Sequence, residues 1–577
     1  MTSFFTAASG TRAFAEQFCK YLLIVVIAGV IFASFRIGLV RDFDDRLSNE
    51  SWGRMLFGIG AAITQIDYGG YGYTVSAPVE GTLMQGGLTD DPAILSRLGT
   101  QFPDNLHDAK LIDTAIAMAA RLPFPVSPDT GVRGATDDDV GLADYVTLSF
   151  RLFGHRLLGL YLFYFVVFIS SVGIFLATFH RLARALVLLL AVCGAHVYVL
   201  GSNIFDPNYL GSLTDPRFLS VLGIVPGLHL ACVLLFRLPL SRGNVAGAIA
   251  QSVILFFVVS VRSSAVWAAV AIVALGVVLL FSELWARKKL APGSWGLAVL
   301  LTVGLVYTVH LSRSLHPVYK TDGALGYHGL WHALFYQLQQ NRDWQEKYAA
   351  SYGNAVGDTL PQMAAQKYVL QHPPSPSEDI YLTPGHTLMK PRARETYIRK
   401  AFLEFVANDP KFVIATLAGN VGRAGTVLMS FLRSLGRHPF QLGLIVAGAF
   451  MAGAAILASD AAGRRILAQA PLLLTGGFLV SLLPNLVSVQ GIKLMSDPCL
   501  MLLATLIAWI VFGATEALRW AQTRFSHSGL SEYLPSMLHG GGDRFLQRCR
   551  PVLAKVFLKQ PAVERRIADV DGGHGRG

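Results

Sequence analysis

Residues 21–50 read YLLIVVIAGVIFASFRIGLVRDFDDRLSNE, an apolar run followed directly by a cluster of acidic residues. The run from 21 to 38 is long enough to cross a bilayer as a helix. It is too long, and too poorly followed by small residues, to be a cleaved signal peptide, so we expect a signal anchor. A polar loop over 39–156 separates it from the next apolar run. Because most connections are short, a loop of this length indicates a functional segment.

The composition places the chain among membrane proteins. Of its 577 residues, 53% are hydrophobic and 15% are charged, and the mean hydropathy is +0.47. Lipid offers the backbone no hydrogen-bond partners, so the repeated apolar runs predict an all-α polytopic fold. We predict ten transmembrane helices, at approximately 21–38, 157–178, 184–202, 218–236, 245–261, 264–282, 294–311, 440–459, 466–486 and 499–518.

Lysine and arginine residues indicate which loops face the cytoplasm. They are concentrated at 12–20, 181–184, 237–242, 287–289 and 464–465, and in the tail 519–577. With ten helices all of these fall on one side, which we take as cytoplasmic. The segments predicted to face outward are 39–156, 203–217, the turn at Arg262, 312–439 and 487–498. The net charge of +11 then reflects topology and attraction to anionic lipid, and does not indicate nucleic-acid binding.

The chain therefore divides into four predicted regions. Residues 1–311 hold seven helices and the first outer loop, 312–439 form a second outer segment, 440–518 hold three helices, and 519–577 are a basic cytoplasmic tail. The stretch 411–437 is moderately apolar, but Asn420, Arg423 and Arg433 interrupt it. We expect this stretch to lie as a helix in the outer interface, because every later loop would change sides if it spanned the membrane.

Acidic residues of the first loop are the candidate catalytic groups. Asp42, Asp44 and Asp45 closely follow the first span, and Asp67 precedes a turn rich in Gly and Tyr. Tyr71 in this turn is a candidate for binding substrate, as a stacking surface for a sugar. A carboxylate just outside a membrane can act as a base on a sugar hydroxyl, or hold a divalent metal against a phosphate. Taken singly, each Asp could equally be solvated loop charge. The residues indicate no cofactor other than such a metal.

Cationic and aromatic residues near the outer ends of later spans are candidates for binding a phosphate and sugars. Arg262 joins two spans with almost no loop, and an Arg at a membrane boundary either has a partner, such as a phosphate, or snorkels to headgroups. In a helix, His328 and His332 would lie one turn apart, which suits a metal pair, substrate contact or plain packing. The candidates in the second outer segment are Arg313, His316, Lys320, His328, Trp331 and His332.

The layout resembles the GT-C class of membrane glycosyltransferases, in its single first span, long acidic first loop, many spans and later large outer segment. The resemblance implies transfer of a sugar from a polyprenyl-phosphate-linked donor to an envelope glycan or glycolipid acceptor. It also implies a multi-pass protein of the bacterial inner membrane, in contact with membrane lipids, whose active site faces the periplasm. The acid of that class lies in the first outer loop, where Asp42, Asp44, Asp45 and Asp67 could match it.

Two other functions fit a polytopic chain of this kind. A lipid-linked polysaccharide polymerase or O-antigen-ligase-like enzyme also has many spans and a large outer loop with Arg and His, although the long first loop counts against it. A transporter or flippase is the second alternative, but the predicted spans contain few charged residues and no internal repeat. A phosphate-binding loop for nucleotides, Gly-x-x-x-x-Gly-Lys-Ser/Thr, does not occur in the sequence.

Overall fold

The structure is a computed structural model of the chain. It describes residues 17, 21, 23–36, 141–201, 218–287, 293–314, 330–357, 359–373, 380–383, 386–389, 391–435, 469–487 and 495–527. The chain forms two compact units, Met1–Gly513 and Ala514–Gly577. In the second unit, the described residues 514–527 are helical and belong to the helix that begins at Ser496.

Helices make up almost all of the described elements. In chain order they are α1 (Leu23–Arg36), α2 (Gly141–Phe153), α3 (Leu157–Phe179), α4 (Ala183–Gly201), α5 (Ile224–Leu235), α6 (Arg242–Val261), α7 (Val266–Arg287), α8 (Trp295–Ser314), α9 (Leu330–Leu338), α10 (Trp344–Lys347), α11 (Thr359–Gln371), α12 (Pro391–Asn408), α13 (Pro410–Leu435), α14 (Gln469–Ser481), α15 (Leu483–Val487) and α16 (Ser496–His527). Short 3-10 turns cover Phe218–Gly223, Ser263–Ala265 and Ala349–Tyr352.

Seven helical stretches among the described residues are long and apolar enough to cross a membrane. They are Leu158–Phe179, Phe218–Leu235, Arg242–Val261, Ser263–Trp285, Trp295–Arg313, Pro410–Leu435 and Ser496–Ala517. Shorter apolar helices cover Leu23–Arg36, Arg184–Leu200 and Pro471–Asn485. The predicted class, an all-α membrane protein, is therefore confirmed. The count of ten spans stays a prediction, because the whole of the predicted span 440–459 lies outside the described residues.

Helix α5 lies at the centre of the bundle, since every residue from Ile224 to Leu234 is buried. It packs against α3, α4, α6, α7 and α8. The connections between its neighbouring helices lie at two opposite ends of the bundle. One end holds Arg262, Ser220 and Asp497, which lie in or beside segments predicted to face the same side. We refer to it as the Arg262 end.

The opposite end of the bundle is fixed by an ion pair and a tight backbone approach. Arg237, in the left-handed conformation with φ 52°, pairs with the buried carboxylate of Glu283 on α7. Gly293 has φ +96°, and a Cβ there would lie 2.8 Å from the carbonyl oxygen of Val233, so only glycine fits. The ion pair therefore holds the connection before α6 against α7. The close approach holds the connection before α8 against the end of α5.

Helix α1, which belongs to the first predicted span, is attached to the bundle by polar contacts near its C-terminal end. Ser34 lies 3.4 Å from Nδ1 of the buried His196 on α4, and Nε2 of that ring lies 2.7 Å from the Tyr164 hydroxyl on α3. Tyr161 donates a hydrogen bond to the carbonyl oxygen of Phe35. The chain therefore enters the first outer loop from a fixed point on the bundle.

The described part of the second outer segment has a hydrophobic core of its own. Helices α9, α11 and α12 pack together around Phe335, Leu360, Ile398 and Phe402, and Trp344 is only 1% exposed. Helix α12 runs from Pro391 to Asn408 and ends just before Asp409-Pro410. A two-stranded antiparallel hairpin, β1 (Ile380–Thr383) and β2 (His386–Met389), is the departure from an all-helical fold.

Helix α13 belongs to both hydrophobic cores. Phe412 near its start lies in the outer core, whereas Phe431 and Leu435 near its end lie in the core of the bundle. Two polar residues of the helix contact the outer segment: Thr416 accepts a hydrogen bond from Asn341 at 2.9 Å, and Arg423 donates one to the carbonyl oxygen of Gln340 at 3.0 Å. These contacts give two polar groups within an apolar helix their partners. Its predicted position in the membrane interface remains a prediction.

Candidate functional site

Arg262 is buried at the turn between α6 and α7. Its backbone is extended (φ −146°, ψ 105°), its N–H donates to Val258 at 2.8 Å, and its carbonyl accepts from Ala265 at 2.9 Å. The residue is only 8% exposed. Burying a guanidinium is costly unless an anion or several acceptors lie near it. The turn therefore holds a cation inside the protein rather than at its surface.

Asp497, in the first turn of α16, is the anion that interacts electrostatically with Arg262. It is 4% exposed. Oδ1 accepts a hydrogen bond from the Ser220 hydroxyl at 2.8 Å, and Oδ2 accepts one from Nε1 of Trp267, also at 2.8 Å. Both carboxylate oxygens therefore have a hydrogen-bond donor, and the group lies in the first turn of its own helix. We call Arg262, Asp497, Ser220 and Trp267 the Arg–Asp cluster.

An apolar groove of about 290 Å³ shares one residue, Trp267, with this cluster. Trp267 belongs to both, because its ring lines the groove while its Nε1 donates to Asp497. The groove follows α7 from Trp267 to Val278, and α5, α14 and α16 form its other sides. Its lining is aliphatic or small, with Gly227, Gly476 and Met501 among the residues. An apolar groove of this kind suits the hydrocarbon chain of a lipid.

The end of the first outer loop packs directly against the Arg262 turn. A Cβ at Gly141 would lie 2.5 Å from the carbonyl carbon of Ser260 and 2.6 Å from the nitrogen of Val261, so only glycine fits there. One turn later, the half-buried Asp144 interacts electrostatically with Tyr307, whose hydroxyl lies 2.9 Å from that of Ser260. Helix α2 therefore places an acid of the first loop at the Arg262 end.

A second arrangement of titratable groups lies in the outer segment. Oε1 of Glu395 on α12 accepts a hydrogen bond from the backbone N–H of Trp331 at 3.2 Å, and the N–H of His332 also donates to this carboxylate. Burial raises the pKa of Glu395, while these donors and the His332 ring act in the opposite direction. The carboxylate thus occupies the N-terminus of α9, where backbone N–H groups need acceptors.

The structure brings some predicted site residues together and leaves others apart. Trp331 and His332 both lie in the first turn of α9 and contact Glu395, but Trp331 also packs against Phe402 with ring centroids 5.9 Å apart. Arg313 lies near the exposed end of α8, and Arg262 lies in the bundle. The predicted residues outside the described part of the chain are Asp42, Asp44, Asp45, Asp67, Tyr71, His316, Lys320 and His328.

The sequence did not single out Asp497 or Ser220. The prediction placed Asp497 in an outer loop ending at 498, whereas the structure places it inside α16 and buried. Its hydrogen-bond partners lie 277 and 230 positions away, so no local pattern reveals them. One available signal was an acid within the first residues of an apolar span, which is expensive unless it is paired.

Neither the arrangement of possible metal ligands nor the comparisons with known proteins assigns a function to the chain. Among the residues that the structure describes, no group of three or more His, Cys, Asp or Glu side chains is placed to hold a metal ion. The metal pair suggested for His328 and His332 lies partly outside those residues. No protein-family model, curated protein or solved structure matches the chain.

Proposed function

We propose that the protein is a membrane glycosyltransferase that transfers a sugar from a polyprenyl-phosphate-linked donor to an envelope glycan or glycolipid. The observation that carries the proposal is the apolar groove whose lining residue Trp267 is hydrogen-bonded to Asp497 of the Arg–Asp cluster. From Trp267 to Val278 the groove follows α7 for roughly 16 Å, at 1.5 Å per residue. A prenyl chain would lie along this length, and its phosphate would meet Arg262.

Arg262 is suited to the phosphate because a guanidinium binds phosphate oxygens in a bidentate manner. In sugar transfer, negative charge develops on the departing phosphate, so a fixed cation beside it stabilises the transition state. The acceptor hydroxyl needs a base. The four acids predicted for that role, Asp42, Asp44, Asp45 and Asp67, and the half-buried Asp144 belong to the first outer loop. The periplasmic orientation of this end is part of the proposal.

Replacing Arg262 tests the phosphate contact. Arg262→Ala should weaken binding of a polyprenyl-phosphate sugar by roughly 1.5–3 kcal/mol, which is tenfold or more in affinity. Arg262→Lys should restore only part of it, because an ammonium cannot bind in a bidentate manner. Unchanged affinity in a folded Arg262→Ala variant would remove the support for a phosphate at this turn.

Filling the groove tests the lipid chain independently. Gly476 lines the groove, and a Cβ there would meet nothing within 4 Å, so Gly476→Leu should occupy the space without a clash. It should weaken binding of long prenyl phosphates while leaving binding of a prenyl-free sugar phosphate unaffected. Gly173→Leu is the matched control, because Gly173 is equally open but lies on α3, away from the groove. Equal effects of the two variants would contradict a chain in the groove.

A lipid-linked polysaccharide polymerase or ligase is the second candidate, because such an enzyme would use the same groove. The observation that favours it is His332 beside the half-buried Glu395, an acid–base pair in the outer segment. Product analysis separates the two functions. A glycosyltransferase of the proposed kind adds one sugar per donor, whereas a polymerase or ligase transfers a preassembled glycan. Loss of turnover in His332→Gln, with intact Asp residues in the first loop, would favour the second function.

A further inference from the structure

The apolar groove is enclosed at one end and open at the other. Trp267 is only 6% exposed, and Ala268 and Ile272, which follow it on α7 and also line the groove, are buried. Val278, the last lining residue on α7, is 64% exposed, and Leu472 on α14 is 56% exposed. The groove therefore opens at the surface of the protein near Val278 and Leu472.

Contacts between α14 and α16 show that Leu472 lies at the end away from Trp267. Thr475 accepts a hydrogen bond from Nε1 of Trp509 at 3.2 Å. Trp509 follows Asp497 by twelve residues of α16, or about 18 Å, and Asp497 is the residue bonded to Trp267. Leu472 comes almost one turn before Thr475 on α14. Val278 and Leu472 thus mark the same, open end of the groove.

The two ends suit the two parts of a lipid phosphate. Trp267 lies beside the turn before α7, where Ser263 is exposed and Ser264 is half-buried. A phosphate is costly to bury and needs water or polar groups, which this turn offers. A hydrocarbon chain longer than the groove has to leave it into lipid, and the open end at Val278 and Leu472 provides that exit. The phosphate therefore belongs at the Trp267 end.

We propose that the first three isoprene units of the donor fill the groove from Trp267 to Val278, and that the rest of the chain lies in the bilayer. This inference rests on the proposed function. The groove follows α7 for roughly 16 Å. One isoprene unit adds four backbone bonds of about 1.5 Å each and spans about 5 Å when extended, so about three units match this length. The protein then contacts the start of the chain and is indifferent to its total length.

Photocrosslinking tests the position of each unit. Long polyprenyl phosphates that carry a diazirine on the first, third or sixth isoprene unit are added to the full-length protein in nanodiscs and irradiated. Labelled residues are identified by mass spectrometry, and labelling that an excess of unlabelled polyprenyl phosphate removes is specific. The first-unit probe should label residues around Trp267, and the third-unit probe residues around Val278 and Leu472. The sixth-unit probe should give no specific labelling in the groove.

A matched pair of variants tests whether the chain runs along α7. Ala271 lines the groove about 6 Å beyond Trp267, so Ala271→Leu should obstruct the chain after its first unit. Specific labelling of Val278 and Leu472 by the third-unit probe should fall several-fold, while labelling around Trp267 by the first-unit probe persists. Val270→Leu is the control, because Val270 is exposed on α7 and does not line the groove. Equal effects of the two variants would overturn the inference.

Failure of the inference and failure of the proposed function give different results. If the first-unit probe labels Val278 and the third-unit probe labels Trp267, the groove holds a prenyl chain in the reverse direction, and only the inference is wrong. Specific labelling of the groove by the sixth-unit probe, as strong as that by the third-unit probe, would also refute the inference alone. If no probe labels the groove specifically, the proposed function loses the observation that carries it, and the inference fails with it.

Discussion

Trp267 and Asp497 lie 230 positions apart in the chain, and a hydrogen bond of 2.8 Å joins Nε1 of the indole to Oδ2 of the carboxylate. The bond ties the start of α7 to the start of α16. Together with the bond from Ser220 it joins three apolar helical stretches at one end of the bundle. The buried carboxylate of Asp497 is thus bonded directly to a residue in the wall of the groove.

Removing the indole donor should destabilise the protein. Trp267→Phe leaves Oδ2 of a buried carboxylate without this partner, and an unsatisfied buried group costs about 1–3 kcal/mol or more when it is charged. We expect earlier unfolding in a titration with sodium dodecyl sulfate. Trp285→Phe is the control, because that residue is 93% exposed and should change little. Equal midpoints for the two variants would show that the bond contributes nothing.

The contact of α2 with the Arg262 turn requires glycine at position 141. In Gly141→Ala, the new Cβ would lie about 2.5 Å from backbone atoms of Ser260 and Val261, so the helix must move. We expect a loss of roughly 1–3 kcal/mol, which is typical of overpacking, measured as a fall in thermal stability. Gly173→Ala, where a Cβ meets nothing within 4 Å, should be neutral or slightly stabilising. A neutral Gly141→Ala would mean that α2 does not pack so closely.

Asp409 should make the outer segment sensitive to acid. It accepts hydrogen bonds from Tyr348 at 2.6 Å and from the N–H of Phe412 at 3.1 Å, and these hold its pKa below the usual value. A lowered pKa stabilises the fold above the ordinary value of about 3.9, and this stabilisation is lost as the pH falls through the folded-state value.

The measurement for Asp409 is thermal unfolding between pH 2 and 7, followed by near-ultraviolet circular dichroism. Asp409→Asn keeps a good N-cap but no charge, so its stability should fall less steeply on acidification than that of the wild type. Asp343→Asn is the control, since Asp343 pairs with Lys347 on the surface and such pairs contribute little. An unchanged acid response in Asp409→Asn would contradict the prediction.

The predicted topology can be tested by labelling single cysteines in intact cells. Cysteines introduced at Asp129 and Ser375 should react with an impermeant reagent from outside, because both positions belong to segments predicted to face outward. One at Gly463 should not react. External labelling at Gly463 would show that the chain crosses the membrane once more before that position. Helix α13, which has the length and hydropathy of a span, would then be the segment that crosses.

The catalytic base is predicted to be one of Asp42, Asp44, Asp45 and Asp67. An Asp→Asn change at that residue preserves shape, removes the charge, and should lower turnover by roughly 10²–10⁴ without preventing donor binding. The measurement is sugar transfer by purified variants, with donor binding as the control. If all four variants keep wild-type turnover, the base lies elsewhere. Asp144 and the His332–Glu395 pair would then be the positions to examine.

Sequence reasoning located the apolar helices well because their signal is local. The predicted spans 157–178 and 245–261 correspond to the helices Leu157–Phe179 and Arg242–Val261. Helix α12 ends before Asp409-Pro410, because proline lacks a backbone N–H and the residue before it disfavours the helical conformation. It also pointed to Arg262, because a charge at a membrane boundary is conspicuous. It could not find the groove or the role of Asp497, since both arise from contacts between segments more than 200 positions apart. The hairpin was missed because two strands of four residues give little periodicity.

Helix α13 has a mechanical consequence for the whole outer segment. It is a continuous helix of 26 residues, and its two ends are embedded in different hydrophobic cores. At 1.5 Å per residue the helix is about 39 Å long. A tilt of about 5° around its bundle end would therefore displace its outer end by about 3 Å. Small rearrangements among the helices would therefore be amplified as motion of the segment that carries His332 and Glu395.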